Sequence, residues 1–159
     1  MEARARIAGH PIHPILIPLP IGLWVFSLVA DIVYRAGGPP VWDDVAFYTL
    51  GGGIVGALLA AVPGFVDFSA LHRSRARQLA TVHMALNLTI VVLQAVSFWL
   101  RTEVLPGAAS PFVLSLISVT MLGVSGWIGG EMVYGQGVAI DPEVAIRVRE
   151  GRESGRGAA

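Results

Sequence analysis

Four stretches of this chain contain no Asp, Glu, Lys or Arg: Pro14 to Ala30, Val45 to Val66, Gln78 to Leu100 and Val104 to Gly130. A helix needs about 20 mostly apolar residues to cross the hydrocarbon core, where every backbone N–H and C=O must be bonded within the segment. Charged side chains make up 14% of the chain, against about 25% in a soluble domain. The pattern therefore predicts an all-α, four-helix transmembrane bundle, with spans at 15–35, 45–66, 79–100 and 111–134 inside one domain of residues 1–140. Arg4 and Arg6 ahead of the first run imitate a secretory leader. That run ends in Asp31, Tyr34 and Arg35 with no small-x-small cleavage pattern, and reads as a retained helix. Pro14, Pro18 and Pro20 each remove a backbone donor, so regular helix is expected from about Pro20.

The segments between the runs are short and rich in turn formers, among them Gly37, Gly38, Pro39 and Pro40, then Pro106, Gly107 and Pro111. Short connections make successive helices antiparallel, in up-down order. Four crossings then collect Arg4, Arg6, His72, Arg73, Arg75, Arg77, Arg147, Arg149, Arg152 and Arg156 on one side. By the positive-inside rule that side is the cytoplasm, which places both termini of a multi-pass membrane protein there. Residues 141–159 mix acidic, basic and glycine residues and read as a cytoplasmic tail, partly disordered.

Glycines at 52 and 56, and again at 126 and 130, form small-xxx-small pairs that suit close helix packing. No strand precedes them, so they are not a phosphate loop. In the third span His83, Asn87, Gln94, Ser97 and Arg101 fall on one helical face, which should point into the bundle because polar groups facing lipid are costly. Trp24, Trp42, Trp99, Trp127, Tyr34, Tyr48 and Tyr134 are read as interfacial anchors.

Equal numbers of basic and acidic side chains leave no net charge to attract nucleic acid. The absence of cysteine excludes disulfides, thiolate catalysis, cysteine-ligated zinc and iron–sulfur clusters. No hydrolase-like Ser/His/Asp spacing is present. The expected roles are those of an electron carrier or membrane anchor, not of an enzyme.

The most specific local pattern is His10-Pro11-Ile12-His13-Pro14. A residue before proline is pushed toward extended geometry, and polyproline II, with three residues per turn, would turn His10 and His13 to the same side. The up-down topology brings His10 and His13, Asp67, His83 and Glu131 to the same end of the bundle; His72 sits on the adjoining loop beside Arg73 and Arg75 and is read as exposed. Ionisable groups at the membrane edge are costly and point to function.

Three explanations stand. In the first, His83 with His10 or His13 holds a b-type haem, Asn87 belongs to the site, and Arg73, Arg75 or Arg77 pairs with its propionates. In the second, His10, His13 and His83 with Asp67 or Glu131 bind a non-haem metal such as zinc, iron, manganese or copper, in a metal-binding or transport-associated protein. In the third, the carboxylates pair with histidines or arginines and the chain is a structural subunit without a cofactor. At the other end Asp31 lies one turn from Arg35 and is expected to pair with it. A proton path from Asp31 through Asn87 has few acidic relays to support it.

Several segments together resemble the DUF2231 family of bacterial membrane proteins: Gly9-His10-Pro11-Ile12-His13-Pro14, Pro18-Leu19-Pro20-Ile21-Gly22, Gly64-Phe65-Val66-Asp67, His83 with Asn87, and Gly130-Glu131-Met132-Val133-Tyr134. The resemblance runs nearly to Ile140. It carries no assigned activity, but some members look fused or linked to Rieske iron–sulfur domains, which implies membrane electron transfer. A chain without cysteine cannot build such a domain, so the implied partner is a separate Rieske or cytochrome protein, beside the lipid bilayer and a second copy of the chain. Relatives resemble one another in a basic residue, histidine and glycine after the Val-Tyr pair. Here Gly135, Gln136 and Gly137 stand there, which shifts any ligand role onto His10, His13 and His83.

Overall fold

The computed structural model describes residues 3–71, 75–103, 109–139 and 146–147. After a two-stranded hairpin of β1 (Arg6–Ile7) and β2 (His10–Pro11), the helices are α1 (Ile12–Leu16), α2 (Pro18–Arg35), α3 (Val41–Ala70), α4 (Arg75–Glu103) and α5 (Ala109–Gly130), closed by a π turn at Glu131–Gly135. The four membrane-length segments, α1 with α2, α3, α4, and α5 with its π turn, hold 24, 30, 29 and 27 residues. At about 1.5 Å per residue each is longer than the ~30 Å hydrocarbon core, so their polar ends reach the headgroup level. The protein is the expected bundle of four membrane-length helices, with α2 packed on α3 and α4 on α5.

The bundle is apolar outside and buries polar side chains among small and apolar ones inside. Ser27, Gln94, Ser97, Ser115, Ser118 and Ser125 are all buried, while Val55, Leu58, Val62 and Phe65 on α3 and Leu88, Val92 and Trp99 on α4 face outward. Lipid tails solvate apolar side chains as well as a protein core does, so helices associate through close packing and interhelical hydrogen bonds. Ser27 donates to Ala46 O at 2.7 Å and Ser97 to Pro111 O at 2.9 Å, tying α2 to α3 and α4 to α5. The polar stripe of α4 faces inward as its spacing predicts. An apolar layer of Trp24, Leu50, Ile90 and Leu122 crosses mid-bundle.

Five expectations need correction. Helix begins at Ile12, not near Pro20, and His10 lies on a strand while His13 lies on α1, so the two do not share a polyproline segment. Pro14 and Pro18 fall in the first turns of α1 and α2, where the missing N–H has no intrahelical acceptor to lose, so proline is accepted there. Trp24 is no interfacial anchor: 2% exposed, it donates to Leu50 O and fills the space left by Gly53, where any Cβ would collide with the indole. Gly52 and Gly56 do meet α2, through Leu23, Leu19 and Pro20, but Gly126 and Gly130 have nothing near them, and Gly129 makes the close approach instead. Asp31 pairs with Arg101 of α4 through two hydrogen bonds of 2.9 and 2.6 Å, not with Arg35, whose guanidinium lies over the Phe112 ring. A bidentate partner inside the bundle outcompetes a solvated neighbour one turn away.

Candidate functional site

The histidine end is assembled from the chain's first residues. Ala8 and Gly9 both have positive φ, 48° and 82°, which gives the tight turn that folds β1 back on β2. Asp67 at the end of α3 fastens this hairpin: its Oδ1 accepts the backbone N–H groups of Arg4 and Ala5 at 2.7 and 2.9 Å. Ile12 N–H donates to Ala5 O and starts α1 directly after the hairpin. His13 is thereby set against α3, where its Nδ1 lies 2.7 Å from Ala60 O and its ring rests over Gly64.

His83 is held in the same manner by the other pair of helices. Its Nδ1 lies 3.0 Å from Ser125 O on α5 and its ring rests against Gly129. Asn87 secures the joint, donating to His83 O at 2.8 Å and to Ser125 Oγ at 2.7 Å. Ala60 O can only accept, so His13 Nδ1 carries a proton, and in the neutral imidazole the lone pair then sits on Nε2. Ser125 Oγ also lies 3.0 Å from His83 Nδ1, and a hydroxyl both donates and accepts, so the carbonyl and the hydroxyl of Ser125 together orient that ring. Both rings are thus oriented through Nδ1 by the neighbouring helix, the kind of contact that orients metal-ligating imidazoles.

The remaining candidates sit less centrally. His10 is exposed on β2, with Nδ1 3.0 Å from Ala8 O in its own turn. Asp67 has one oxygen occupied by the hairpin. Glu131 is exposed in the π turn and folds over Gly135, where a side chain would strike its carboxylate. Among the described residues no three of His, Asp and Glu come together to hold a metal ion. Arg75 is exposed at the start of α4, while Arg77 donates to Leu71 O and lies over the Phe68 ring. His72, Arg73 and nearly all of the tail fall outside the described residues. What the sequence did not disclose is the pair of carbonyls and glycines that seat the rings: Ala60 with Gly64, and Ser125 with Gly129, each a small residue four before a glycine. The small-xxx-small signal was present at both places, but nothing in it distinguishes a seat for a ring from a helix-packing seam.

No curated protein and no solved structure matches the chain. A family model described as a predicted membrane protein matches residues 9–142, which takes in β2, all four membrane-length helices and both seated histidines. The chain belongs to the DUF2231 family of predicted membrane proteins.

Proposed function

We propose that this protein is a membrane redox subunit that holds a b-type haem between His13 and His83, at the cytoplasmic end of the bundle, and exchanges electrons with a separate partner protein. The observation that carries this reading is the shared seating: two imidazoles, one from each helical hairpin, each with Nδ1 against a backbone carbonyl of the neighbouring helix and its ring against a glycine, which leaves Nε2 as the atom for a ligand. Two nitrogen ligands complete the axial coordination of a haem iron, whereas a non-haem ion takes four or more donors. Haem would supply one-electron chemistry. The protein's part is to orient the imidazoles and keep their surroundings largely apolar. Asn87 acts as a positioning residue, fixing His83 and Ser125 relative to each other.

The test is a reduced-minus-oxidised visible spectrum, with metal analysis, of the detergent-purified protein expressed with ample haem. A low-spin spectrum that is lost in both His13→Ala and His83→Ala supports the reading. Bound metal without haem bands would move the assignment to the metal site of His10, His13, His83, Asp67 and Glu131, and neither haem nor metal would leave the structural role. The chain has no cysteine, so a single cysteine at Arg75 reports orientation: labelling from the periplasm alone would overturn the cytoplasmic placement.

A further inference from the structure

The two halves of the bundle use the same interactions at the same places. His13 reaches Ala60 O and His83 reaches Ser125 O; the partners are 47 residues apart in the first case and 42 in the second. Ser27 reaches Ala46 O and Ser97 reaches Pro111 O, at separations of 19 and 14. In both comparisons the second hairpin is shorter by the same amount, as one shortened turn in an otherwise equivalent unit requires. The glycine beneath each histidine follows its carbonyl by one helical turn in both halves. Burial repeats too: Trp24, Ser27 and Asp31 on α2 correspond to Gln94, Ser97 and Arg101 on α4, and Leu50 and Gly53 on α3 to Ser115 and Ser118 on α5.

We infer that the chain is an internal dimer, two copies of one helical hairpin related by a pseudo-twofold axis along the bundle, and that this axis passes between His13 and His83 and makes there a single site for one metal centre with two equivalent imidazole ligands. One further contact supports the inference. Equivalent residues close to a twofold axis meet each other, and Asp31, 70 residues before Arg101, is its ion-pair partner. Both hairpins also enter the bundle from the same end, as repeats related by an axis along the membrane normal do. A site on the axis belongs to neither half, so one chain binds one cofactor and both histidines are needed for it. In its choice of cofactor this inference rests on the function proposed above; the duplication does not.

Two measurements on the full chain separate these parts. Asp31 and Arg101 are equivalent under the axis, so exchanging them in the double variant D31R/R101D should restore the folded yield and the unfolding midpoint that either single variant loses. A double variant as damaged as the single ones would overturn the duplication, whatever the cofactor proves to be. Haem titration of the wild type should saturate at one per chain, and imidazole added to His13→Ala or His83→Ala should restore the low-spin spectrum in both. Two haems per chain, or dependence on one histidine alone, would overturn the axial site. Haem failing to bind at all would count against the proposed function while the charge exchange still decides the duplication.

Discussion

Replacing Asp31 with alanine should cost this bundle a large part of its stability. Its carboxylate takes both guanidinium N–H groups of Arg101, at 2.9 and 2.6 Å, and the paired side chains are 4% and 9% exposed. Solvent screening, which reduces surface pairs to about 0–1 kcal/mol, does not apply at that burial. Removing one partner leaves the other charge buried with a Ser115 hydroxyl at 3.4 Å, and breaking a buried pair in this way costs about 3–5 kcal/mol. Folded proteins hold only about 5–15 kcal/mol in total. Arg101→Met should cost a similar amount, because it strands Asp31 instead. The double variant Asp31→Leu with Arg101→Met should recover most of the loss, since replacing a buried ion pair by apolar groups is often neutral or stabilising. Reversible unfolding in mixed micelles, followed by tryptophan fluorescence, measures all three. Single-variant losses below about 1 kcal/mol, the surface-pair range, or a double variant no better than the singles, would refute the reasoning.

Gly53→Leu drives a side chain into the Trp24 indole and should lower stability by about 1–3 kcal/mol in the same assay, as overpacking does. Gly126→Ala, which meets nothing, should be neutral or gain up to about 1 kcal/mol from helix propensity. Gly64→Val and Gly129→Val lift the two imidazoles off their seats, so each should abolish the spectrum expected of the wild type while leaving the protein helical by circular dichroism. Asp67→Ala removes the acceptor of the Arg4 and Ala5 amides, and hydrogen exchange at those two positions should speed up markedly with little change in α4 and α5.

The four spans were legible because the length of a charge-free run answers directly to the thickness of a bilayer, and the inward stripe of α4 because His83, Asn87, Gln94, Ser97 and Arg101 keep helical spacing. What the sequence concealed depends on contacts between distant segments. Arg35 is nearer to Asp31 along the chain than Arg101 is, and only the parallel course of α2 and α4 in the bundle, which brings their C-terminal ends together, reverses that order. Trp24 looked like an anchor by residue type, but its place in the middle of a 24-residue segment, opposite Gly53, makes it a core residue. At the site, the gathering of histidines at one end followed from counting crossings, whereas their orientations follow from which carbonyl and glycine each ring meets. The internal repeat escaped the sequence because few equivalent positions keep the same residue: Trp24 answers to Gln94, Leu50 to Ser115, and Asp31 to its opposite charge in Arg101.

The fastening of the N-terminal hairpin by Asp67 sets an order on biosynthesis. Arg4 and Ala5 leave the ribosome before α3 does, yet the carboxylate that receives their amides lies 63 and 62 residues later, and the carbonyl that orients His13 lies 47 residues later. The hairpin therefore waits, unfixed, until α3 has been synthesised and inserted, and the seat of His13 is completed only when α3 has crossed the membrane.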